Sequence, residues 1–313
     1  MRAVVQHELG GPEVLRVEER EMPGPLPTEV QVRVRAAGVN PVDFKTRAGR
    51  GMASVLGAPP FTVGWDVCGE VSAIGAGVTR FEVGEEVFGM PWFPRQAGAY
   101  AEYVTAPSRH FAAKPHALSQ LEAGALPLAG LTAWQIVVDT IQLQAGDDLL
   151  VHGAAGGVGH LAVQIAKARG ANVIGTARAE QADFLAGLGL DRLIDYRSER
   201  FEQLVEDLDA VIDLTGSQGE ASLATLRPGG ILVSVPSGVP EQVLEMAKRT
   251  KRRATGFLVE PDPVGLAGLC DLIEAGHLQV EVDRTFPLEQ AAEAHRYAEA
   301  SHGAGKIALK VGK

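Results

Sequence analysis

The sequence predicts a mixed α/β chain of two domains, one rich in β-structure and one built as a doubly wound parallel sheet. Three observations carry this reading. Up to about Pro115 the chain alternates strand-like and turn-like segments with no long helical period. From Asp148 onward, short apolar runs alternate with amphipathic segments, the pattern of strands joined by helical crossovers. A glycine-rich turn follows the first of those runs and opens a helix. The length of 313 residues agrees, since a domain usually takes roughly 100–200 residues.

Element by element, Met1 to Gly10 has the alternating character of a strand. Val30, Val32 and Val34 alternate with Gln31, Arg33 and Arg35, the period of a half-buried strand. Further strands are expected over Phe61–Ile74, Glu85–Met90 and Ala99–Ala106, punctuated by Gly and Pro. Ser119-Gln-Leu-Glu122 is a capping box that opens a helical region, and a second helix is expected from near Leu131 to about Leu143. The parallel strands fall on Leu149–His152, Asn172–Thr176, Arg192–Asp195, Ala210–Leu214, Ile231–Val235 and, more weakly, Ala254–Val259. Two short helices follow about Pro261, the second beginning at Pro287, and a strand from Lys306 to Val311 ends the series. The basic run Lys248–Arg253 reads as a solvated helix end.

Composition narrows the function classes. Hydrophobic residues make up 46% and charged residues 22%, which is ordinary for a globular chain. The net charge of −10 argues against a nucleic-acid or anionic-membrane partner. The only cysteines, Cys68 and Cys270, exclude a disulfide framework and a four-thiolate zinc lobe by count. Apolar runs break well before the roughly 18 residues of a membrane span, and no signal-peptide pattern precedes the first strand. A cytoplasmic protein is expected.

The strongest motif is Leu149-Leu-Val-His-Gly-Ala-Ala-Gly-Gly-Val-Gly159. It sets Ala154-x-Gly156-x-x-Gly159 directly after an apolar strand, with Val158, Leu161, Ala162, Ile165 and Ala166 on one face of the helix that follows. Gly170 stands where a helix-terminating glycine belongs. Strand, glycine turn and helix form the dinucleotide fingerprint: Gly156 lets the backbone approach a pyrophosphate, and the helix start offers unpaired N–H groups. Ala154, Gly156, Gly157, Val158 and Gly159 are therefore cofactor-binding candidates; Ala154 in place of the first glycine requires a turn that tolerates a methyl.

The second strand ends Thr176-Ala177-Arg178. A site selective for NAD carries an acidic residue about 20 positions past the glycines, whereas this chain has Ala177, 18 positions after Gly159, followed by Arg178. Losing the carboxylate removes repulsion toward a 2′-phosphate, and a guanidinium can grip that phosphate in a fork, so NADPH is the expected cofactor. Tyr196, ending the third strand, belongs to the same corner. Ligands of open parallel sheets sit beyond the carboxyl ends of the strands, which adds Thr176, Thr215, Gly216, Pro236 and Ser237. Arg178 and Tyr196 also read as plain surface residues, and the loop residues as plain loop.

The ordered set Ala37-Gly-Val-Asn-Pro-Val-Asp43, Gly64-Trp-Asp66, Val151 to Gly159 and Gly305-Lys-Ile-Ala-Leu309 resembles the zeta-crystallin-like quinone oxidoreductases, zinc-free members of the medium-chain dehydrogenase/reductase family, along essentially the whole chain. The resemblance implies a GroES-like catalytic domain of residues 1–118 completed by 260–313, a Rossmann nucleotide-binding domain of residues 119–259, an active site in the cleft, and a homodimer. Zinc-dependent relatives carry Cys where Asn40 stands and Gly-His-Glu where this chain has Gly64-Trp65-Asp66, so no metal is expected. Without a Lewis acid to stabilise an alkoxide, alcohol oxidation is disfavoured, while quinones and enones spread the incoming charge themselves.

By the same resemblance Asn40 contacts the nicotinamide–ribose region. Lys45, in place of the Tyr of many quinone reductases, is similar to enone and alkenal reductases. Trp65, with Trp92 and Phe93, is a candidate for an apolar wall over the nicotinamide. Asp43 reads as bonding local backbone, Tyr100 and Tyr103 as packing, and His152 as a satisfied interior residue. The expected activity is NADPH-dependent reduction of a quinone or enone. The competing reading is an NADPH-binding structural or regulatory protein without turnover.

Overall fold

The computed structural model describes residues 1–236, 238–300 and 303–312. The chain divides into two compact units, Met1–Leu131 with Glu260–Glu274 and Val280–Lys313, and Thr132–Val259 with Ala275–Gln279.

In the first unit β1 (Arg2–Val5) pairs antiparallel with β2 (Arg16–Glu19). Then come β3 (Glu29–Val39), α1 (Pro41–Arg47), α2 (Ala53–Leu56), β4 (Val67–Ile74), β5 (Glu86–Gly89), β6 (Tyr103–Pro107) and β7 (Phe111–Ala113). The capping box at Ser119 forms, with the hydroxyl accepting Glu122 N–H and the Glu122 carboxylate accepting Ser119 N–H, and opens α3 (Gln120–Ala125). The second helix begins earlier than expected: α4 runs Pro127–Trp134 and widens into a π-helical stretch, Gln135–Thr140. Pro127 takes the first turn, where a missing N–H costs nothing.

Of the Phe61–Ile74 run only Val67–Ile74 is strand; the part before it is extended loop carrying Gly64 at φ +98°. β3 departs from the half-buried pattern as well. It lies between β4 on one edge and β6 and β15 on the other, and Gln31 is buried, donating to the Pro23 carbonyl (2.6 Å) and accepting from Ser72 (2.6 Å). The chain around Pro23 covers the face that alternation alone assigns to water.

The second unit holds six parallel strands: β8 (Asp148–His152), β9 (Asn172–Ala177), β10 (Arg192–Asp195), β11 (Leu208–Asp213), β12 (Leu226–Ser234) and β13 (Arg253–Gly256). Its helices are α5 (Gly159–Ala168), α6 (Ala182–Gly187), α7 (Gly219–Thr225) and α8 (Glu241–Arg249). The order β10-β9-β8-β11-β12-β13 is the doubly wound arrangement, reversing between β8 and β11. Leu150, Val211, Leu223 and Leu232 centre one of its apolar cores. The basic run after α8 is not wholly solvated, because Arg252 turns in to donate to the Leu226 carbonyl and Arg253 starts β13.

The chain then returns to the first unit as α9 (Pro263–Glu274), β14 (Val282–Pro287), α10 (Ala291–Ala300) and β15 (Lys306–Lys310). β14 was not expected from the sequence, and Pro287 ends it rather than starting a helix. β15 pairs antiparallel with the end of β3, Ile307 opposite Val39, which sets Lys306 beside the start of α1.

Candidate active site

In the second unit β8 runs into its turn through Gly153, whose φ of +74° favours glycine. The N–H groups of Gly153 and Ala154 both donate to the Thr176 carbonyl (3.2 and 3.1 Å), tying the turn to β9. Thr176 itself is buried, its hydroxyl against Gly153 N–H (3.3 Å) and His152 Nδ1 (3.2 Å). Its side chain therefore holds the turn and is not open to a cofactor, which corrects the expectation for Thr176. His152 is satisfied at both nitrogens, Nε2 meeting Ser222 Oγ (3.0 Å), and burial pushes its pKa down to about 4.

A Cβ on Gly159 would lie 2.2 Å from the Gly153 carbonyl oxygen and 2.7 Å from that of Ala154, so helix and turn meet here only through glycine. Gly156 is different. A Cβ there would meet only the Gly153 oxygen at 3.3 Å, so the fold leaves space above it that packing does not claim. Gly156, Gly157 and Val158 stay half-open at the head of α5, where the first N–H groups lack helical partners. Ala154 is buried, with its methyl 2.7 Å from where a Cβ on Gly175 would stand, so the missing first glycine of the fingerprint is matched by a glycine on β9. Backbone that can approach an anion, and a dipole that favours one, fit a pyrophosphate.

β9 and β10 end level, Asp195 opposite Ala177, which brings Arg178 and Tyr196 together; Arg178 Nε donates to the Tyr196 hydroxyl at 3.1 Å. At the end of β11, buried Asp213 orders the loop: one carboxylate oxygen accepts Thr215 N (2.8 Å), Thr215 Oγ1 (2.7 Å) and Gly216 N (2.9 Å), and the other accepts Gln218 N (3.1 Å). Gly216, at φ +76°, faces Pro236. Thr215, Gly216 and Pro236 thus gather beyond the strand ends, beside the reversal between β8 and β11. Ser237 lies outside the described residues. Asp213 was missed from sequence; an acidic residue closing an apolar strand just before Thr-Gly was its only signal.

In the first unit Asn40 caps α1 and is buried. Its main-chain N–H donates to Asp43 Oδ2 (2.6 Å), its amide nitrogen donates to Asp66 (2.7 Å), and its amide oxygen accepts from Lys306. The ammonium has no acceptor capacity, so this contact fixes which end of the amide is oxygen. Asp66 also accepts Leu128 N–H (2.6 Å) and lies 4.0 Å from Lys306 Nζ. Burial pushes Asp66 up to about 6 and Asp43 to about 7, and pushes Lys306 below the usual lysine range against the pull of Asp66 and Asp43. A Cβ on Gly38 would fall 2.3 Å from the Asp66 carboxylate, which explains Gly between Ala37 and Val39.

Lys45, one turn into α1, is half-buried, and burial followed by Arg50 holds its ammonium below the usual lysine range. Trp65 does not stand over an open pocket. It is fully buried, donates its indole N–H to the Arg95 carbonyl (2.6 Å) and packs edge-on against Phe93, so it acts as core. Trp92 is tied to Thr105 O (2.8 Å). Tyr100, read as packing, is buried but carries hydrogen bonds to Asp43 (3.1 Å) and His295 (3.0 Å). Lys306 and Asp66 entered the sequence reading only as letters of motifs, with no role attached.

Known proteins resemble this chain along its whole length. The family model for the alcohol dehydrogenase GroES-like domain matches residues 26–116, and that for a zinc-binding dehydrogenase matches residues 188–309. The chain is 33% identical to the 2-haloacrylate reductase of a Burkholderia species, over 98% of each chain. It is 33% identical to the chloroplastic NADPH-dependent alkenal/one oxidoreductase of Arabidopsis thaliana, over 99% of this chain and 79% of the relative. Among solved structures it superposes on the quinone oxidoreductase of Coxiella burnetii with a TM-score of 0.94, at 38% identity over 100% and 99% of the two chains.

Zinc, named in the description of one family model, does not fit the residues around Asn40. Its carboxamide is engaged by Asp66 and Lys306, and a buried ammonium at that spot opposes a divalent cation. Trp65 offers no donor, and among the described residues no three His, Cys, Asp or Glu side chains form a metal-sized cluster.

Proposed function

Since the chain belongs to the medium-chain dehydrogenase/reductase family, among its quinone and enone reductases, we propose that it reduces a small quinone or α,β-unsaturated carbonyl compound with NADPH and without zinc. The carrying observation is the glycine turn of the second unit, where Gly159 is demanded by backbone contact while the space above Gly156 is left open. When bound, NADPH supplies a hydride from C4 of its nicotinamide.

The protein's share is binding and orientation. The turn from Gly156 to Gly159 and the start of α5 would hold the pyrophosphate. Arg178, steadied by Tyr196, would hold the 2′-phosphate, and Thr215, Gly216 and Pro236 would line the strand ends. Asn40, with its amide oriented by Lys306 and Asp66, would hold the nicotinamide–ribose end. Lys45 carries the positive charge expected near an enolate as negative charge develops on the acceptor oxygen, and water supplies the proton that completes reduction. A homodimer through an edge of the parallel sheet and a cytoplasmic location complete the reading. A binding protein without turnover has no use for a buried, doubly anchored amide at the nicotinamide end, which favours the enzyme.

Steady-state NADPH oxidation with a simple quinone and a simple enone tests this directly, with Arg178→Ala as the informative variant. A charge-assisted phosphate contact is worth about 1.5–3 kcal/mol, so the KM for NADPH should rise roughly ten- to a hundredfold while that for NADH stays nearly unchanged. Equal losses for both cofactors, or a wild type that prefers NADH, would refute the assignment of Arg178.

A further inference from the structure

A chain of buried side chains runs from Arg47 at the end of α1, through His295 on α10, back to the cap of α1, and the chemistry above uses none of its first three members. Arg47 Nη1 lies 3.2 Å from His295 Nδ1; His295 Nε2 lies 3.0 Å from the Tyr100 hydroxyl; that hydroxyl lies 3.1 Å from Asp43 Oδ2; and the same oxygen accepts Asn40 N–H at 2.6 Å. Arg47, His295, Tyr100 and Asp43 are each 2% exposed or less, so water does not compete for these bonds.

The direction of every bond follows from the first. A guanidinium only donates, so the His295 Nδ1 facing it is the bare nitrogen and the ring proton sits on Nε2. Nε2–H then donates to Tyr100, which leaves the phenolic proton for Asp43. Arg47 is itself clamped, with Nε donating to Gly10 O (3.0 Å) and Nη2 to Glu299 (2.8 Å). The imidazole is wedged edge-on between Phe44 and Tyr100, at centroid distances of 6.3 and 5.6 Å.

We propose that His295 is a positioning residue for hydride transfer, locked as the neutral Nε2–H tautomer and holding Asn40 in place through Tyr100 and Asp43. The inference rests on the reading that Asn40 holds the nicotinamide end. The chain is not a proton wire, because its head is an arginine that releases no proton at any working pH. What it transmits is orientation. Asp43 receives the Tyr100 and Asn40 protons on one oxygen, and that pair sets where the N-terminus of α1, and with it the Asn40 amide, stands. Burial, reinforced by Arg47, pushes His295 down to about 3, in keeping with a ring that stays neutral.

The test has two arms. In 15N-labelled wild type, long-range proton–nitrogen correlations of the His295 ring should show Nε2 protonated and Nδ1 bare at pH 7, unchanged at pH 5. A proton on Nδ1, or a charged ring, would overturn the proposal. In the second arm Tyr100→Phe and His295→Phe keep an aromatic ring at each place and break the chain, whereas His295→Gln returns an N–H toward Tyr100. The kcat should fall about ten- to a hundredfold in both Phe variants, the scale of a small misplacement at a reacting centre, with KM for NADPH changed less than about threefold. His295→Gln should recover most of the loss, and exchange of the Asn40 amide should quicken in Tyr100→Phe. If His295→Phe does not fold, Tyr100→Phe decides alone: folded protein with undiminished kcat and unchanged Asn40 exchange would sink the inference. Wild type that oxidises no NADPH would defeat the reading of Asn40 instead, while the ring signal and the Asn40 exchange would still judge the chain by itself.

Discussion

Gly159→Ala should abolish NADPH binding at practical concentrations, raising Kd more than a hundredfold, and should lower the unfolding midpoint. The added methyl would stand 2.2 Å from one backbone oxygen and 2.7 Å from another, and neither can turn aside as a side chain would. Relief requires α5 to move away from the turn, which displaces the N–H groups that face the ligand. Overpacking of this kind costs about 1–3 kcal/mol or more in stability, besides the binding it destroys. Gly187→Ala is the matched control, since a Cβ at that position on α6 meets nothing within 4 Å. It should be neutral, or stabilising by up to about 1 kcal/mol. Calorimetric titration with NADPH settles the matter, and a Gly159→Ala protein binding within threefold of wild type would mean that the turn does not hold the cofactor.

Lys306→Met carries the second large effect. It removes the only positive charge within 4 Å of Asp66 among the described residues and frees the Asn40 amide oxygen, in a site that water does not reach. Breaking a buried pair by deleting one partner costs about 3–5 kcal/mol, because the other charge stays behind. Asp66 can escape part of that cost by taking up a proton, and with its pKa already near 6 it is poised to do so. The double variant Lys306→Met/Asp66→Asn should therefore be more stable than Lys306→Met alone, a coupling that chemical denaturation measures. Turnover should fall in both, since the Asn40 amide loses the contact that orients it. A Lys306→Met protein within about 1 kcal/mol of wild type would contradict the buried pair.

The doubly wound sheet was legible because it is written in local pattern. Each parallel strand is a short apolar run, and the glycine turn joins strand to helix within a few positions, so period and punctuation suffice. The strand ends that carry Arg178 and Tyr196 were legible for the same reason, in a sheet whose strand ends lie level. The network around Asn40 was not. Arg47 meets Glu299 across 252 positions and Lys306 meets Asn40 across 266, distances over which periodicity carries no information. The misread residues share a cause too. Trp65 and Thr176 stand next to glycines and have side chains suited to a ligand, but the fold places Trp65 in the core and spends the Thr176 hydroxyl on the turn. β14 was missed because its alternation is shallow: of Val282 to Pro287 only Phe286 is buried.

Bound NADPH would give the hydride of its C4 to an electron-poor carbon of a conjugated acceptor, with the protein contributing position and charge. Stopped-flow reduction of an enone and of a quinone, followed with NADPH deuterated at C4 against unlabelled NADPH, tests it most directly. Deuterium should slow the transient with at least one of these acceptors and be recovered in its reduced product or, for a quinone, lost to solvent, while a saturated alcohol with NADP⁺ should give no comparable rate. Rapid alcohol oxidation, together with no turnover of either conjugated acceptor, would contradict that transfer.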